Sequence, residues 1–404
     1  MSEEIKNRFL QYGWLAPATF PLTMIGGRGL FHTIFFLYVL WALASASRLR
    51  IENHRTYLLL FLLLMTSYAI SIPFATDIIR ALKSWGTLLL FSGSTFVTLA
   101  MLQQQPDNLR RLLAALGVCG LIAVFAAYVD LGHILLFEDE FMPRLQLKAV
   151  SLTFYLPFLL AWLWLGIDAR GRRLAAVVLT ISAITAYVTL SEERSAFVGL
   201  VCALTCLGIL VLRVRVYLTM AFVAGVVMLA VALNGEALLR GLSGGQDTFT
   251  QMDAFSSGRL TLWSQAIQNP PENWLIGAGM NNARYHVEVV SIDGYLVKHL
   301  HNIWLDAWYE TGTLGLAMLV GLLLYVFSTT ARHWKAITAQ DRLGAALFLT
   351  GALTILAETQ FSISYASREF GIYAFTCFAA LLHLARRAAS SPTRPVPHPP
   401  ENSA

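Results

Sequence analysis

Charge is scarce in this sequence. Only 13% of its 404 residues are Asp, Glu, Lys or Arg, against roughly 25% in an ordinary soluble protein. That excludes a chain of two or three water-soluble domains. Cysteine is scarce too. Cys119, Cys202, Cys206 and Cys377 all fall inside apolar runs, at spacings that suit neither a zinc site nor a loop disulfide, so they read as small packing residues. His-Glu-x-x-His, paired-Asp and Asp-x-Asp patterns are absent, although Glu138-Asp139-Glu140 forms an acidic cluster. No metal and no cofactor are therefore expected. No block of Lys and Arg interleaves with aromatics, which argues against nucleic-acid binding. The first apolar stretch has no convincing cleavage site, so no cleavable signal peptide is expected. There is no internal repeat.

What the chain has instead is hydrophobic length. It is 56% apolar, with a mean hydropathy of +0.60. A run of about 20 apolar residues matches the ~30 Å hydrocarbon layer, and many such runs occur. Charged breaks divide them into spans at 9–26, 30–47, 56–74, 79–101, 112–131, 150–167, 174–190, 195–212, 216–234, 303–331, 343–362 and 369–385. The expected fold is thus an all-α polytopic membrane protein of about twelve transmembrane helices. Pro17 and Pro21 interrupt the first span, and the tenth is longer than one crossing needs, so its start projects beyond the membrane.

Orientation follows from the short connections. With Lys6 and Arg8 inside, the inner segments also carry Arg48, Arg50 and Arg55, Arg110 and Arg111, Arg170, Arg172 and Arg173, and Arg213 and Arg215. Arg332, Lys335, Arg342, Arg386, Arg387 and Arg394 complete the set. Every inner segment contributes, so both termini are predicted to be cytoplasmic. The chain divides into helices one to nine (1–234), an outer loop domain with short helices (235–302), helices ten to twelve (303–387) and a disordered cytoplasmic tail (388–404). The outer loop is too long for a plain connector. Its Trp263, Trp274, Ile267 and Leu275 could bury against one another or in the headgroup region, which favours an ordered loop.

Charged side chains at the outer surface are the candidates for chemistry, because burying charge there is expensive. Arg194 sits in a short turn, Ser191-Glu192-Glu193-Arg194, between two apolar runs. It is either an interfacial anchor paired with a neighbouring Glu or a clamp for phosphate, which the planar guanidinium grips with two hydrogen bonds. Arg259 follows Ser256-Ser257-Gly258 and precedes Leu260, Leu262, Trp263 and Ala266, a spacing that predicts a short amphipathic helix with Ser257 or Gly258 near its N-cap. An Arg there opposes the helix dipole, and together with the helix N-terminus it would favour an anion. His301 stands where the loop meets the tenth span, beside Asn302, which could orient its ring. It is either structural or a neutral imidazole that accepts a proton from a sugar hydroxyl. Glu310, Gly312 and Gly315 read as packing where helices approach closely. Asp306, Glu310 and Glu358 are the charged exceptions within the late spans.

Taken in order, Ser191 to Ala196, Ser257-Gly258-Arg259 with Trp263, Pro271 through Gly277 and Gly279, and His301-Asn302 through Gly315 resemble the O-antigen ligase family, with its related O-antigen polymerases and pilin oligosaccharyltransferases. The likeness spans roughly residues 150 to 375. Here Glu192 and Glu193 separate Ser191 from Arg194, where the family has Ser and Arg adjacent. The resemblance implies transfer of a glycan from an undecaprenyl-diphosphate carrier to lipid A-core oligosaccharide, outside the inner membrane and without a metal. His301 would activate the acceptor hydroxyl, and Arg194 and Arg259 would stabilise the diphosphate. Asn302, Lys298, Arg368, Arg28, Arg80 and Lys83 lie near the same face and are candidates for substrate or headgroup binding, or are interfacial anchors.

The nearest rivals are a polymerase or a pilin oligosaccharyltransferase using the same donor; a single large loop favours the ligase. A lipid or sugar transporter would show six spans plus six around a central connection, and charge along a mid-membrane path. A structural scaffold would leave the long loop unexplained.

Overall fold

The structure is a computed structural model that describes residues 40–41, 54–105, 107–136, 149–191, 193–239, 253, 256, 258–287 and 299–390. Among the described residues every regular element is helical. The elements are α1 (Arg55–Ser71), α2 (Ile78–Ser92), α3 (Ser94–Gln104), α4 (Asn108–Leu136), α5 (Ala149–Gly166), α6 (Arg170–Leu190), α7 (Arg194–Cys206), α8 (Val216–Leu239), α9 (Arg259–Gln268), α10 (Ile303–Glu358) and α11 (Arg368–Ser390). Six helical stretches are long and apolar enough to cross a membrane: Arg55–Phe74, Ile78–Gln104, Asn108–Val129, Ala149–Gly166, Arg170–Leu190 and Ile303–Glu358. Ser195–Val211 and Leu218–Met228 are shorter apolar helices. The expected span at 9–26 and nearly all of that at 30–47 lie outside the described residues, as do Glu138–Glu140, Arg28, Lys298 and the tail beyond Ser390.

Helix α11 is the axis of the bundle. Every residue from Glu369 to Leu382 is buried, and α10, α3 and α2 pack around it. A helix apolar on all sides belongs inside a larger apolar assembly. Peripheral helices show the converse: Phe125 on α4, Leu179 on α6 and Met228 on α8 are 71%, 69% and 73% exposed. Rows of large apolar side chains facing outward suit a hydrocarbon solvent. The four cysteines are free, with Cys119 and Cys377 buried and Cys202 and Cys206 half-buried.

The two spans expected at 303–331 and 343–362 form one helical run, Ile303–Glu358, interrupted by non-helical backbone at Gly312 and Asp341. The break at Asp341 falls in the charged connection between the expected spans. Its carboxylate accepts from the Gly344 amide at 2.9 Å and so caps the final stretch. Next to it, Arg342 donates to the carbonyls of Leu210 and Val211 at 2.9 and 3.1 Å. Those carbonyls belong to a π-helical end of α7, Leu207–Val211, where helical carbonyls lack their usual partners. At the opposite end, the Ile303 amide donates to the Thr359 carbonyl at 3.0 Å and closes the beginning of α10 onto its far end.

The break at Gly312 holds the loop that precedes α10. Helical geometry would pair the Thr313 and Leu314 amides with the Tyr309 and Glu310 carbonyls. Here Thr313 and Leu314 donate to the carbonyls of Trp274 and Leu275 at 3.0 and 3.2 Å. The Tyr309 and Glu310 carbonyls accept from Ala278 and Gly279, both at 2.9 Å. The loop thus replaces the four backbone groups that the break would orphan. Gly312 and Gly315 were expected where helices meet; at Gly312 the close neighbour is instead loop backbone. Gly312 has φ 68° and ψ −174°, a region open essentially to glycine, and a Cβ there would collide with Leu275 and Ile276. Gly277, at φ 86°, meets Glu310 and Gly312 in the same way. Gly312→Ala is expected to destabilise the protein by about 1–3 kcal/mol through backbone strain, with more from the collision. Thermal unfolding with hydrogen exchange of residues 273–279 checks it; unchanged protection would show that the splice is not a structural anchor.

Candidate functional site

The loop buries a small core of its own. Leu262, Ala266, Ala278, Ala283, Val287, Leu300 and Tyr309 pack together, with Trp263 against them. The Trp263 indole donates to the Leu300 carbonyl at 2.8 Å. Trp263 therefore packs inward, whereas Trp274, Ile267 and Leu275 are 63%, 61% and 48% exposed.

Within this frame the turn before α10 is fixed tightly. Asp306, wholly buried, accepts from the Leu300 amide at 2.6 Å, and its other oxygen lies 3.8 Å from Nδ1 of His299. His299 Nδ1 accepts from the His301 amide at 3.2 Å. The rings of His299 and His301 stand 4.0 Å apart. His301 itself takes φ 53°, a left-handed conformation uncommon for non-glycine residues but one that His, Asn and Asp visit more than most. Asn302, expected to orient the His301 ring, is the N-cap of α10: its carboxamide oxygen accepts from the Trp304 and Leu305 amides at 3.0 and 3.1 Å. Its oxygen shapes the backbone beside His301, and none of this was visible from spacing alone.

His301 is partly buried, and its pKa is lowered to about 4, by burial first and the Arg259 charge second, while the Ser362 carbonyl acts in the opposite sense. The imidazole is therefore neutral at physiological pH, and Arg259 is close enough to act on it. Arg259 is the first residue of α9, with Gly258 (φ 79°) as N-cap. The N-terminus of that helix is already filled from within. Asp253 accepts from the Thr261 amide at 2.9 Å and from its hydroxyl at 2.6 Å, and Ser256 Oγ accepts from the Leu260 amide at 3.3 Å. The helix end expected to help bind an anion is occupied by Asp253 and Ser256 instead, which leaves the guanidinium as the cationic group. Arg259 also donates to the Ser256 carbonyl at 3.2 Å.

The other candidates are placed unevenly. Arg194 begins α7, whose Gly199 packs directly against Glu358 on α10. Glu358 precedes Thr359, whose carbonyl holds Ile303, so α7 starts at the end of the bundle where His301 lies. Arg368 is exposed at the start of α11, just after the turn that carries Ser362. Arg80 and Lys83 lie on the first turns of α2. Asp77 caps that helix, accepting from the Arg80 amide at 2.9 Å and from its guanidinium at 3.3 Å.

Sequence reading missed Arg284. Its guanidinium donates to Asn281 Oδ1 at 2.8 Å, and Asn281 in turn donates to Ser84 on α2 at 2.9 Å. Asn282, fully buried, accepts from the Asp77 amide at 2.7 Å. Consecutive Asn residues after the Gly-x-Gly turn were the available signal, since Asn tolerates the φ of 55° found at Asn281. Arg284 lies beside Leu262, Ala283, Val287, His299 and Leu300 in a dent with no room for a bound molecule. The buried carboxylates flagged by sequence are structural ties: Glu310 accepts from the Tyr365 hydroxyl at 2.9 Å, and Glu358 accepts from Thr153. Among the described residues no group of three His, Cys, Asp or Glu could hold a metal ion.

The arrangement offers a neutral imidazole beside an arginine, at the end of a long apolar helix. No curated protein matches the chain. A family model described as O-antigen ligase matches residues 175–320, the stretch that contains Arg194, Arg259, Gly277, Gly279, His301 and Gly312, and over that stretch the chain is similar to the O-antigen ligase family.

Proposed function

We propose that the protein moves O-antigen glycan from undecaprenyl diphosphate to lipid A-core oligosaccharide at the periplasmic face of the bacterial inner membrane. Similarity to that family supports a glycosyltransferase of the ligase or polymerase type that uses lipid-linked glycans. The observation that carries the finer reading is the neutral imidazole of His301 within the field of Arg259. In this reading the chain crosses the membrane about twelve times with both termini inside, and the loop around α9 faces the periplasm.

The acceptor hydroxyl oxygen attacks the anomeric carbon, and the bond from that carbon to the diphosphate oxygen breaks. His301 takes the hydroxyl proton, and undecaprenyl diphosphate leaves carrying the bonding pair. Arg259 and Arg194 meet the charge that develops on the diphosphate, so the step needs no metal. Lys298, Arg368 and Arg28 are candidates for the lipid headgroup side of the donor.

Purified protein, incubated in EDTA with undecaprenyl-diphosphate-linked glycan and lipid A-core, is expected to yield glycosylated lipid A-core. Chain extension or peptide glycosylation in its place would move the protein to a sister activity. Lipid or sugar flux without any transfer would sink the enzyme reading.

A further inference from the structure

Residues 273–279 are closed in their backbone and open at two large apolar side chains. Trp274 and Leu275 are exposed, yet each amide from Leu275 to Gly279 has an acceptor. Asn273 Oδ1 takes the Leu275 and Ile276 amides, both at 3.1 Å, and the Asn273 carbonyl takes that of Gly277 at 2.6 Å. Ala278 and Gly279 donate to α10, and the Trp274 and Leu275 carbonyls accept from it. A loop on a wet surface can leave such groups to the solvent. Non-helical backbone at membrane depth has to satisfy them within the protein.

The level of these residues follows from the packing of α1 against α10. The two helices run in opposite directions: the Tyr57 and Tyr325 rings stack 6.5 Å apart, and a Cβ on Gly315 would fall 3.0 Å from the Tyr68 ring. Thr313 and Leu314, which hold the Trp274 and Leu275 carbonyls, come just before Gly315. Trp274 and Leu275 therefore stand level with the last turn of α1, short of Phe74, where that apolar stretch ends. Phe74 and, just beyond the turn, Ile78, Ile79 and Leu82 are exposed as well. Glu272, exposed shortly before Trp274, marks the side that stays in water.

A Trp beside a Leu at the end of long apolar helices fits one partner, the headgroup layer of a phospholipid bilayer. There the indole ring enters the acyl boundary and its N–H meets headgroup oxygens. We propose that Trp274 and Leu275 insert into that layer and seat the tip of the loop in the membrane. The helical stretch from Ile303 to the Gly312 break joins this seat to the His301 turn, so the seat sets the height of His301 over the lipid. The proposal stands apart from the transfer reading, because it concerns only where the loop lies.

The test uses the full chain, labelled with fluorotryptophan, in phosphatidylcholine nanodiscs and read by fluorine NMR. The Trp274 resonance is the one lost in Trp274→Phe, a conservative change at an exposed position where folding is not at risk. Phosphatidylcholine with a nitroxide near the top of its acyl chain is expected to broaden that resonance away, while a water-soluble gadolinium chelate leaves it visible. Leu275→Trp made on the Trp274→Phe background should give a new resonance with the same loss. For either ring, stronger or equal broadening by the chelate puts the loop tip in water and overturns the seat. A resonance that neither agent reaches shows that protein covers the tip, a second copy of the chain included, and overturns it too.

Discussion

His301→Asn lowers kcat for glycan transfer by about 10²- to 10⁴-fold, the usual worth of a positioned general base. Asn is the informative replacement because His301 sits at φ 53°, a conformation Asn tolerates better than Ala, so the turn before α10 survives while the proton acceptor is lost. Thermal unfolding close to that of native protein would confirm that chemistry rather than folding has been removed. The pH profile adds a second readout. Burial and then Arg259 depress His301 to about 4, and the neutral form is the active one. The acid limb of kcat/KM, which reports the free enzyme, should therefore fall near pH 4, and activity should be full above it. Binding of the donor diphosphate offsets the Arg259 charge, so the acid limb of kcat lies at higher pH. A variant that keeps more than a tenth of native kcat would remove His301 from the reaction and leave it a structural role.

Arg259→Gln costs about 10²- to 10³-fold in kcat if the guanidinium meets the charge on the leaving diphosphate, by analogy with removal of one oxyanion donor. The same change alters His301. Arg259 is the second cause of its lowered pKa, so the acid limb of kcat/KM shifts upward towards the ordinary histidine value while the rate falls. A helix defect would not do this. The N-terminus of α9 is capped by the side chains of Asp253 and Ser256, and Arg259→Gln leaves both capping bonds in place while losing the guanidinium bond to the Ser256 carbonyl. A rate loss with an unmoved acid limb would separate the two residues and leave Arg259 acting on the donor alone.

Some of this was legible one residue at a time. The break between the two late spans appeared as Arg332, Lys335 and Arg342, because charge is expelled from hydrocarbon wherever it occurs; the structure breaks at Asp341. The short helix after Gly258 was legible from apolar spacing, and the structure begins it at Arg259. The role of Gly312 was not. A Gly followed three residues on by another reads as helix packing, whereas here Gly312 opens a helix so that Trp274 to Gly279 can hydrogen-bond into the gap. Asn302 looked like a partner for a neighbouring ring because adjacency suggests contact, but its oxygen points along the helix axis to the next amides.

By itself the sequence determined the all-helical, apolar character of the described chain, the limits of most of its described apolar helices, and the candidate residues, His301 and Arg259 among them, proposed to carry chemistry. Those properties follow from local terms: apolar length, charge and helix-capping preference, each read within a window of a few residues. Tertiary structure alone decided that the Gly-x-Gly stretch is spliced into a broken helix, that Asp306 and His299 hold the His301 turn, and that Arg284 is tied through Asn281 to Ser84 on α2. These depend on hydrogen bonds and charges between segments distant in the chain. Neither partner carries a local mark of the other until folding brings them together.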